Sequence, residues 1–128
     1  DALAVLTDTP DNSGTVQVFD WDARVKAGEN ATLLVNTTSL GMQGAPSLDM
    51  PLDSLVATEA VKATVADIVY VPLQTDLLAG AAQRGLASVN GLGMLVHQAA
   101  HAFDLWFGQR PDFDSVLRDR LIRDLGET

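Results

Sequence analysis

The sequence predicts an α/β fold in which helices cover a mostly parallel sheet. Short runs of branched apolar residues alternate along the chain with segments whose apolar residues recur every three or four positions. The first pattern is typical of strands buried in a parallel sheet, and the second of amphipathic helices. Short loops join the two kinds of segment, as they do where crossover helices link parallel strands.

Composition limits the classes of protein to which the chain can belong. Its 128 residues suffice for one core, and 47% hydrophobic with 20% charged residues is ordinary for a soluble globular domain. A net charge of −9 without a Lys or Arg cluster argues against a nucleic-acid or anionic-membrane partner. No signal-peptide pattern and no run near the ~20 apolar residues of a membrane span appear. Small molecules are therefore the expected partners, and the absence of cysteine is compatible with a cytoplasmic protein.

The first thirty residues are predicted to contain little regular structure. Residues 1–6 are typical of the end of a helix whose beginning is missing, and residues 9–14 form a dense turn cluster. Branched and polar residues alternate over 15–19, which predicts a short strand. Residues 22–28 predict a helical turn or a loop.

Two apolar runs predict the central strands. The nearly unbroken run at 31–36 indicates a parallel strand covered on both faces. Residues 41–51 form a loop, and residues 52–60 are ambiguous or briefly helical. The chain returns to a strand over 64–71, and Pro72 ends its ladder because proline has no N–H to donate.

Residues 76–84 are predicted to form a helix, which Thr75 can cap and which Gly85 can end in a left-handed conformation. Residues 87–89 form a brief strand. A last helix is predicted over 112–125, with Phe113, Val116, Leu117 and Leu121 facing inward.

The helix predicted over 90–107 is the most periodic segment of the chain. One of its faces is apolar throughout, and this face consists of Leu92, Leu95, Val96, Ala99, Phe103, Trp106 and Phe107. Gly108 and then Pro111 end the helix. Gln98 lies on an adjacent side, next to two alanines, where its amide could reach a ligand.

Ligands of parallel sheets bind beyond the carboxyl ends of the strands. Two loops at such ends are therefore candidates for a site, residues 36–42 and residues 70–72. The first offers an amide, three hydroxyls and a glycine that permits close backbone approach. The alternative is a polar loop that bonds only to itself.

Glycines 91 and 93 follow a brief strand and open a helix, where a dinucleotide-binding turn would stand. Position six of that turn is Val96 rather than glycine, so close packing of the helix is the favoured interpretation. His97 and His101 are four residues apart, but no third ligand accompanies them, and we expect no metal site.

Three stretches together resemble the shikimate dehydrogenases. They are residues 35–42 (VNTTSLGM), residues 67–72 (DIVYVP) with the Thr75 and Leu77-Leu78 that follow, and residues 90–106, which begin NGLGMLV and continue through QAAHAF to Trp106. The resemblance is clear from about Val16 to Trp106 and is looser through the final helix.

The resemblance implies a two-domain enzyme that reduces 3-dehydroshikimate to shikimate with NADPH in aromatic amino-acid biosynthesis. Residues 1–90 would be the carboxy-terminal portion of a Rossmann-like dinucleotide-binding domain. Residues 91–128 would be C-terminal helices that pack back toward a substrate domain absent from this chain. The missing amino-terminal half of such an enzyme carries its catalytic Lys and Asp, the glycine-rich phosphate turn and the basic residues that grip the 2′-phosphate. No residue of this chain matches a catalytic position.

The same resemblance assigns site residues. The residues that it implies to contact NADP are Asn36, Thr37, Ser39, Ile68 and Gly91. Ile68 would lie beside the nicotinamide, where many relatives have Met. Tyr70 and Gln98 match positions that bind the substrate, shikimate or 3-dehydroshikimate. Their alternatives are a half-buried strand aromatic for Tyr70 and a polar helix-edge residue for Gln98.

The sequence also allows a function of another class, a non-catalytic small-molecule-binding or regulatory domain derived from this fold. Neither the preference for shikimate over quinate nor that for NADP over NAD can be inferred from this half of the enzyme.

Overall fold

The structure, a computed structural model, describes residues 16–55 and 62–125. The helix end predicted at 1–6 and the turn at 9–14 lie outside these residues, as does most of the ambiguous stretch 52–60. The strands are β1 (Leu33–Asn36), β2 (Thr64–Asp67) and β3 (Ala87–Val89). The α-helices are α1 (Arg24–Ala27), α2 (Asp76–Gln83), α3 (Leu92–Phe107) and α4 (Ser115–Asp124), and short 3-10 helices occupy Trp21–Ala23 and Leu52–Ser54.

The three strands form one parallel sheet in the order β1-β2-β3, so the predicted α/β class is confirmed. The hydrophobic core lies where α2 and the 3-10 helix at Leu52–Ser54 pack against β2. Its buried members are Leu52, Leu55, Ala63, Val65, Leu77, Leu78, Ala81 and Leu86. Within the described ranges, no helix has the length and apolarity needed to cross a membrane.

The strand predicted at 15–19 is wrong over its described part. Residues 16–19 are irregular and exposed. Alternation of branched and polar residues permits an extended backbone, but a strand also needs a neighbouring strand to pair its N–H and C=O groups. No strand among the described residues pairs with this segment.

Strand β1 is covered on one face, not on both as predicted. Leu33 and Val35 are 58% and 44% exposed, whereas Leu34 is half-buried and Asn36 is buried. Successive side chains of a strand point to opposite faces. The described residues therefore leave the Leu33 and Val35 face of the sheet open.

The strand predicted over 64–71 ends at Asp67. Beyond this point the carboxylate of Asp67 accepts a hydrogen bond from the Val69 N–H at 3.0 Å, and the Val69 carbonyl accepts one from the Gly91 N–H at 3.2 Å. Residues 68–71 do not continue the regular pairing of β2, so the ladder ends before Pro72 is reached. The Val71–Pro72 peptide bond is cis.

The predicted helix ends are largely confirmed. The Leu78 N–H donates to the Thr75 hydroxyl at 3.3 Å, and both Gly85 and Gly108 have φ of +65°. Helix α4 begins later than predicted because Asp114 caps it by accepting the Leu117 N–H at 2.8 Å. The inward orientation predicted for Val116 is wrong, since its side chain is 72% exposed.

The apolar face of α3 is covered only over its first half. Leu92, Val96 and Ala100 are buried, but Trp106 and Phe107 are 75% and 66% exposed. None of the described residues covers the carboxyl end of this helix.

An exposed ion pair joins the sheet-proximal helix α2 to the 3-10 helix before β2. Arg84 donates two hydrogen bonds to the Asp53 carboxylate, at 2.7 and 3.2 Å. These hydrogen bonds, and secondarily the attraction of the charges, lower the pKa of Asp53 and raise that of Arg84.

The two glycines at the start of α3 provide a matched test of backbone packing. A Cβ on Gly91 would overlap the Ile68 carbonyl group and stand 2.7 Å from the Val69 oxygen, whereas a Cβ on Gly93 would meet nothing within 4 Å. We expect Gly91→Ala to lower the free energy of unfolding by about 1–3 kcal/mol through overpacking. Gly93→Ala should raise it by about 0.5–1 kcal/mol, because alanine is the better helix former. Urea unfolding of both variants measures the difference, and equal effects would show that Gly91 does not pack closely.

Candidate functional site

The candidate site lies where β1 and β2 end side by side. Asn36 and Asp67 are the last residues of these strands and are partners in the parallel register. Both are almost completely buried, with 3% and 2% of their surface exposed. A buried polar side chain must find hydrogen-bond partners, so these two residues determine what surrounds them.

The side chains of Asn36, Asp67 and Thr75 form one hydrogen-bonded group, which we call the Asp67 network. Asn36 Nδ2 donates to Asp67 Oδ1 at 3.0 Å, and the Thr75 hydroxyl donates to Asp67 Oδ2 at 2.8 Å. The Val69 N–H completes the set of donors to Asp67. The network therefore connects the ends of both strands to the first turn of α2.

The same asparagine orders the loop that follows β1. Its Oδ1 accepts from both the N–H and the hydroxyl of Thr38, at 3.0 and 2.8 Å, and its Nδ2 also donates to the Leu40 carbonyl at 3.0 Å. The Leu40 N–H in turn donates to the Thr38 hydroxyl at 3.1 Å. For Asn36 and Thr38, the structure thus favours the alternative of a polar loop that bonds to itself.

Thr37 and Ser39 differ from their neighbours. Both are exposed, and neither hydroxyl has a hydrogen-bond partner within the described part of the chain. Their hydroxyls are free to bind a ligand at the carboxyl edge of the sheet.

Two open clefts meet at Thr38. The first, of about 340 Å³, runs along the open face of β1. Trp21, Arg24 and Val35 lie on its walls, and Asn36 and Thr37 lie at its end with Thr38. The guanidinium of Arg24 lies 5.2 Å from the centroid of the Trp21 ring.

The second cleft, of about 270 Å³, lies between the two strand-end loops and the first turn of α3. Its lining is mostly apolar and consists of Thr38, Met42, Ile68, Val69, Tyr70, Val71 and Met94. Tyr70 is 38% exposed, and its hydroxyl makes no hydrogen bond within the described residues. The predicted Ile68 and Tyr70 are therefore brought together with the loop after β1.

Gly91 and Gln98, like Ser39, lie outside the lining of both clefts. Gly91 is buried with its Cα against the Ile68 carbonyl, and its own carbonyl accepts the Leu95 N–H at 3.0 Å. This supports the packing interpretation of Gly91, and cofactor contact there stays a prediction. Gln98 is exposed and stands one turn beyond Met94 on α3, and its carboxamide has no hydrogen-bond partner among the described residues.

His97 on α3 packs against the segment that precedes α4. Its ring meets the Phe113 ring edge-on, with centroids 6.2 Å apart. No group of three His, Cys, Asp or Glu side chains suited to a metal ion occurs among residues 16–55 and 62–125.

Sequence reasoning assigned no individual role to four residues of this region, although Thr38 and Met42 lie in the candidate loop 36–42. Thr38 borders both clefts, Met42 and Met94 both line the second, and Asp67 links the loops. A signal existed for Asp67, because a carboxylate that ends an apolar strand must be bonded or functional. The two methionines each follow a glycine in a matched motif, but only the tertiary structure brings them to one cleft.

Comparisons with known sequences agree with this geometry. The sequence model of the shikimate 5′-dehydrogenase C-terminal domain matches residues 91–118. A shikimate dehydrogenase (NADP(+)) of Rhodopseudomonas palustris (strain BisB5) is 55% identical over 105 residues, which cover 82% of this chain and 36% of that protein. This chain spans little more than a third of the length of such relatives.

Solved structures show the same similarity. Shikimate 5-dehydrogenase from Thermus thermophilus, in complex with NADP(H) and shikimate, aligns with a TM-score of 0.63 and 32% identity, over 79% of this chain and 36% of that one. Quinate dehydrogenase from Corynebacterium glutamicum in complex with NAD aligns with a TM-score of 0.60 and 33% identity, over 73% and 31%. The resemblance predicted from the sequence is confirmed, as is the Rossmann-like character of the sheet.

Proposed function

Because this chain is similar over most of its length to the carboxy-terminal part of shikimate dehydrogenases, we propose that it forms part of an NADP-dependent enzyme that reduces 3-dehydroshikimate to shikimate. One observation carries the proposal. Residues 35–38 of the first matching motif and residues 68–71 of the second line two clefts that meet at Thr38, at the carboxyl ends of adjacent parallel strands. This is the position at which sheets of this class bind ligands.

The chemistry of the clefts fits a dinucleotide. Thr37 lines the first cleft and Ser39 lies in the same loop, and both present hydroxyls without partners among the described residues to the polar part of NADP. The apolar wall of Ile68, Met42 and Met94 in the second cleft suits a nicotinamide ring. When bound, NADPH supplies the hydride. The residues of this chain would bind and orient the cofactor and exclude water, while Asn36 and Gly91 hold the backbone beside it.

The substrate would contact the side chains of Tyr70 and Gln98. Tyr70 borders the second cleft, and Gln98 stands on α3 one turn beyond Met94. Their hydroxyl and carboxamide lack partners among the described residues and can bond to the hydroxyl groups of a polyhydroxy acid.

The division of the chain at residues 90 and 91 is part of the same proposal. The buried cluster around β2 and α2 contains no described residue of α3 or α4, which supports separate roles for 1–90 and 91–128. We also propose that the enzyme acts in the cytoplasm, which the cysteine-free composition supports.

The alternative of a non-catalytic binding or regulatory domain is less well supported, because the similar proteins are named as enzymes. The two hypotheses predict different activities for the reconstituted enzyme described next.

We expect the 128-residue chain alone to be inactive with shikimate and NADP, because no residue in it matches a proton donor of the reaction. Joining the full chain to the amino-terminal part of the Rhodopseudomonas palustris relative gives a reconstituted enzyme, which should turn over on the order of 1 per second or faster. Assays with shikimate and quinate, each with NADP and NAD, determine the preference. An inactive chimera that is folded and binds substrate would support the non-catalytic alternative.

In the reconstituted enzyme, we expect Gln98→Ala to weaken kcat/KM for shikimate by about 1–3 kcal/mol, the usual cost of leaving a polar partner unsatisfied. The KM for NADP should hardly change. Gln83→Ala on α2, also exposed, is the matched control and should behave as wild type. An unaltered kcat/KM for shikimate, or a loss confined to NADP, would return Gln98 to the role of a helix-edge residue.

The exposed carboxyl end of α3 should become covered in the reconstituted enzyme, since helices 91–128 are proposed to pack toward the substrate domain. The chain has two tryptophans, so Trp21→Phe leaves Trp106 as the reporter within it. A reconstituted enzyme free of other tryptophans should show Trp106 emission at shorter wavelength and weaker acrylamide quenching than the isolated chain does. Equal quenching in the two proteins would contradict this packing.

A further inference from the structure

The two loops that carry the proposed site are not joined to each other by a regular ladder. Residues 37–45 follow β1 and residues 68–72 follow β2, and both lie beyond the last residues that pair in the sheet. Two backbone hydrogen bonds cross between the segments. The Ile68 N–H donates to the carbonyl of Asn36 at the end of β1, and the Gln43 N–H donates to the Val71 carbonyl of the other loop. Neither bond involves Thr38, the residue at which the clefts meet, so its position depends on other contacts.

We propose that Asp67 is a positioning residue that sets the spacing of these loops and so shapes both clefts, an inference that rests on the proposed function. Its carboxylate accepts from three donors that belong to three separate segments. These are Asn36 at the end of β1, Val69 in the loop after β2, and Thr75 at the start of α2.

The position of Thr38 depends on this arrangement through Asn36. Asp67 Oδ1 fixes the Asn36 amide, and the oxygen of that amide holds both the N–H and the hydroxyl of Thr38. Thr38 is the residue shared by the two clefts. A shift of Asp67 is thus transmitted to the cofactor-side loop through two hydrogen bonds.

The opposite wall depends on Asp67 directly. Its bond to the Val69 N–H holds the backbone between Ile68 and Tyr70, the two predicted residues that line the second cleft. Gly41 has φ of +90°, a conformation that favours glycine, and it turns the first loop beside the Thr75 side chain of the network. Asp67 touches neither cleft, so its effect on a ligand is indirect.

Asp67→Asn is the test with the least change in shape. An amide group has one acceptor oxygen, so in one orientation the Thr75 hydroxyl loses its acceptor and in the other Asn36 and Val69 lose theirs. Asp53→Asn is the matched control, because it removes an exposed carboxylate that pairs with Arg84 away from the clefts. Thr75→Val removes one donor of the network, and Thr75→Ser keeps it.

The first readout is amide hydrogen exchange of the full 128-residue chain, followed by NMR. For Asp67→Asn we expect exchange at Thr38, Leu40 and Val69 to be faster by about 10-fold or more, while α4 exchanges as in the wild type. Asp53→Asn and Thr75→Ser should match the wild type, and Thr75→Val should show a smaller change of the same pattern. Unchanged exchange at these loops in folded Asp67→Asn overturns the proposal. If Asp67→Asn does not fold, unchanged exchange at these loops in Thr75→Val overturns the proposal.

The second readout is the kinetics of the reconstituted enzyme at a temperature where each variant is folded. Misplaced loops should raise KM for both NADP and shikimate and lower kcat/KM by about 10- to 100-fold. Gln98→Ala, by contrast, should affect shikimate alone. A normal KM for both ligands in folded Asp67→Asn would show that the network serves stability only. If the wild-type reconstituted enzyme is inactive, the proposed function fails, and hydrogen exchange still decides whether Asp67 positions the loops.

Discussion

The structure around the candidate site depends on the burial of one carboxylate. An Asp side chain taken out of water is costly unless hydrogen-bond donors surround it. Asp67 meets this requirement with donors from β1, from its own loop and from the cap of α2. Because the same donors belong to segments that line the clefts, satisfying the carboxylate also determines where those segments stand. A polar group at the end of a buried strand thus organises the site without reaching it.

Two apolar surfaces are open among the described residues. Strand β1 exposes Leu33 and Val35, and α3 exposes Trp106 and Phe107, although each of these side chains belongs to a pattern suited to burial. Apolar side chains exposed together on one element are typical of a face that contacts a ligand or another protein segment. The carboxyl end of α3 lies where we propose that the substrate domain packs, whereas the open face of β1 carries the first cleft.

Local chemistry explains which predictions from the sequence are confirmed. The cap at Thr75 and the left-handed ends at Gly85 and Gly108 need only the residue itself and its neighbours along the chain. Strand limits and coverage depend on partners far away in the sequence. For this reason the prediction of a strand at 15–19 is wrong for its described residues, and the strand that begins at Thr64 ends earlier than predicted. For the same reason β1 is covered on one face and not on both.

The sequence by itself determined the α/β class, the two loops that carry the site and the family resemblance, because periodicity, turn residues and motifs are local properties. Only the tertiary structure decided that Asn36 is buried in a network while Thr37 and Ser39 are free among the described residues, and that Met42 and Met94 share a cleft with Tyr70. These facts depend on which strand ends lie side by side. Parallel pairing of β1 with β2 brings Asn36 to Asp67, two residues 31 positions apart in the chain, and their hydrogen bond fixes which neighbouring side chains remain available to a ligand.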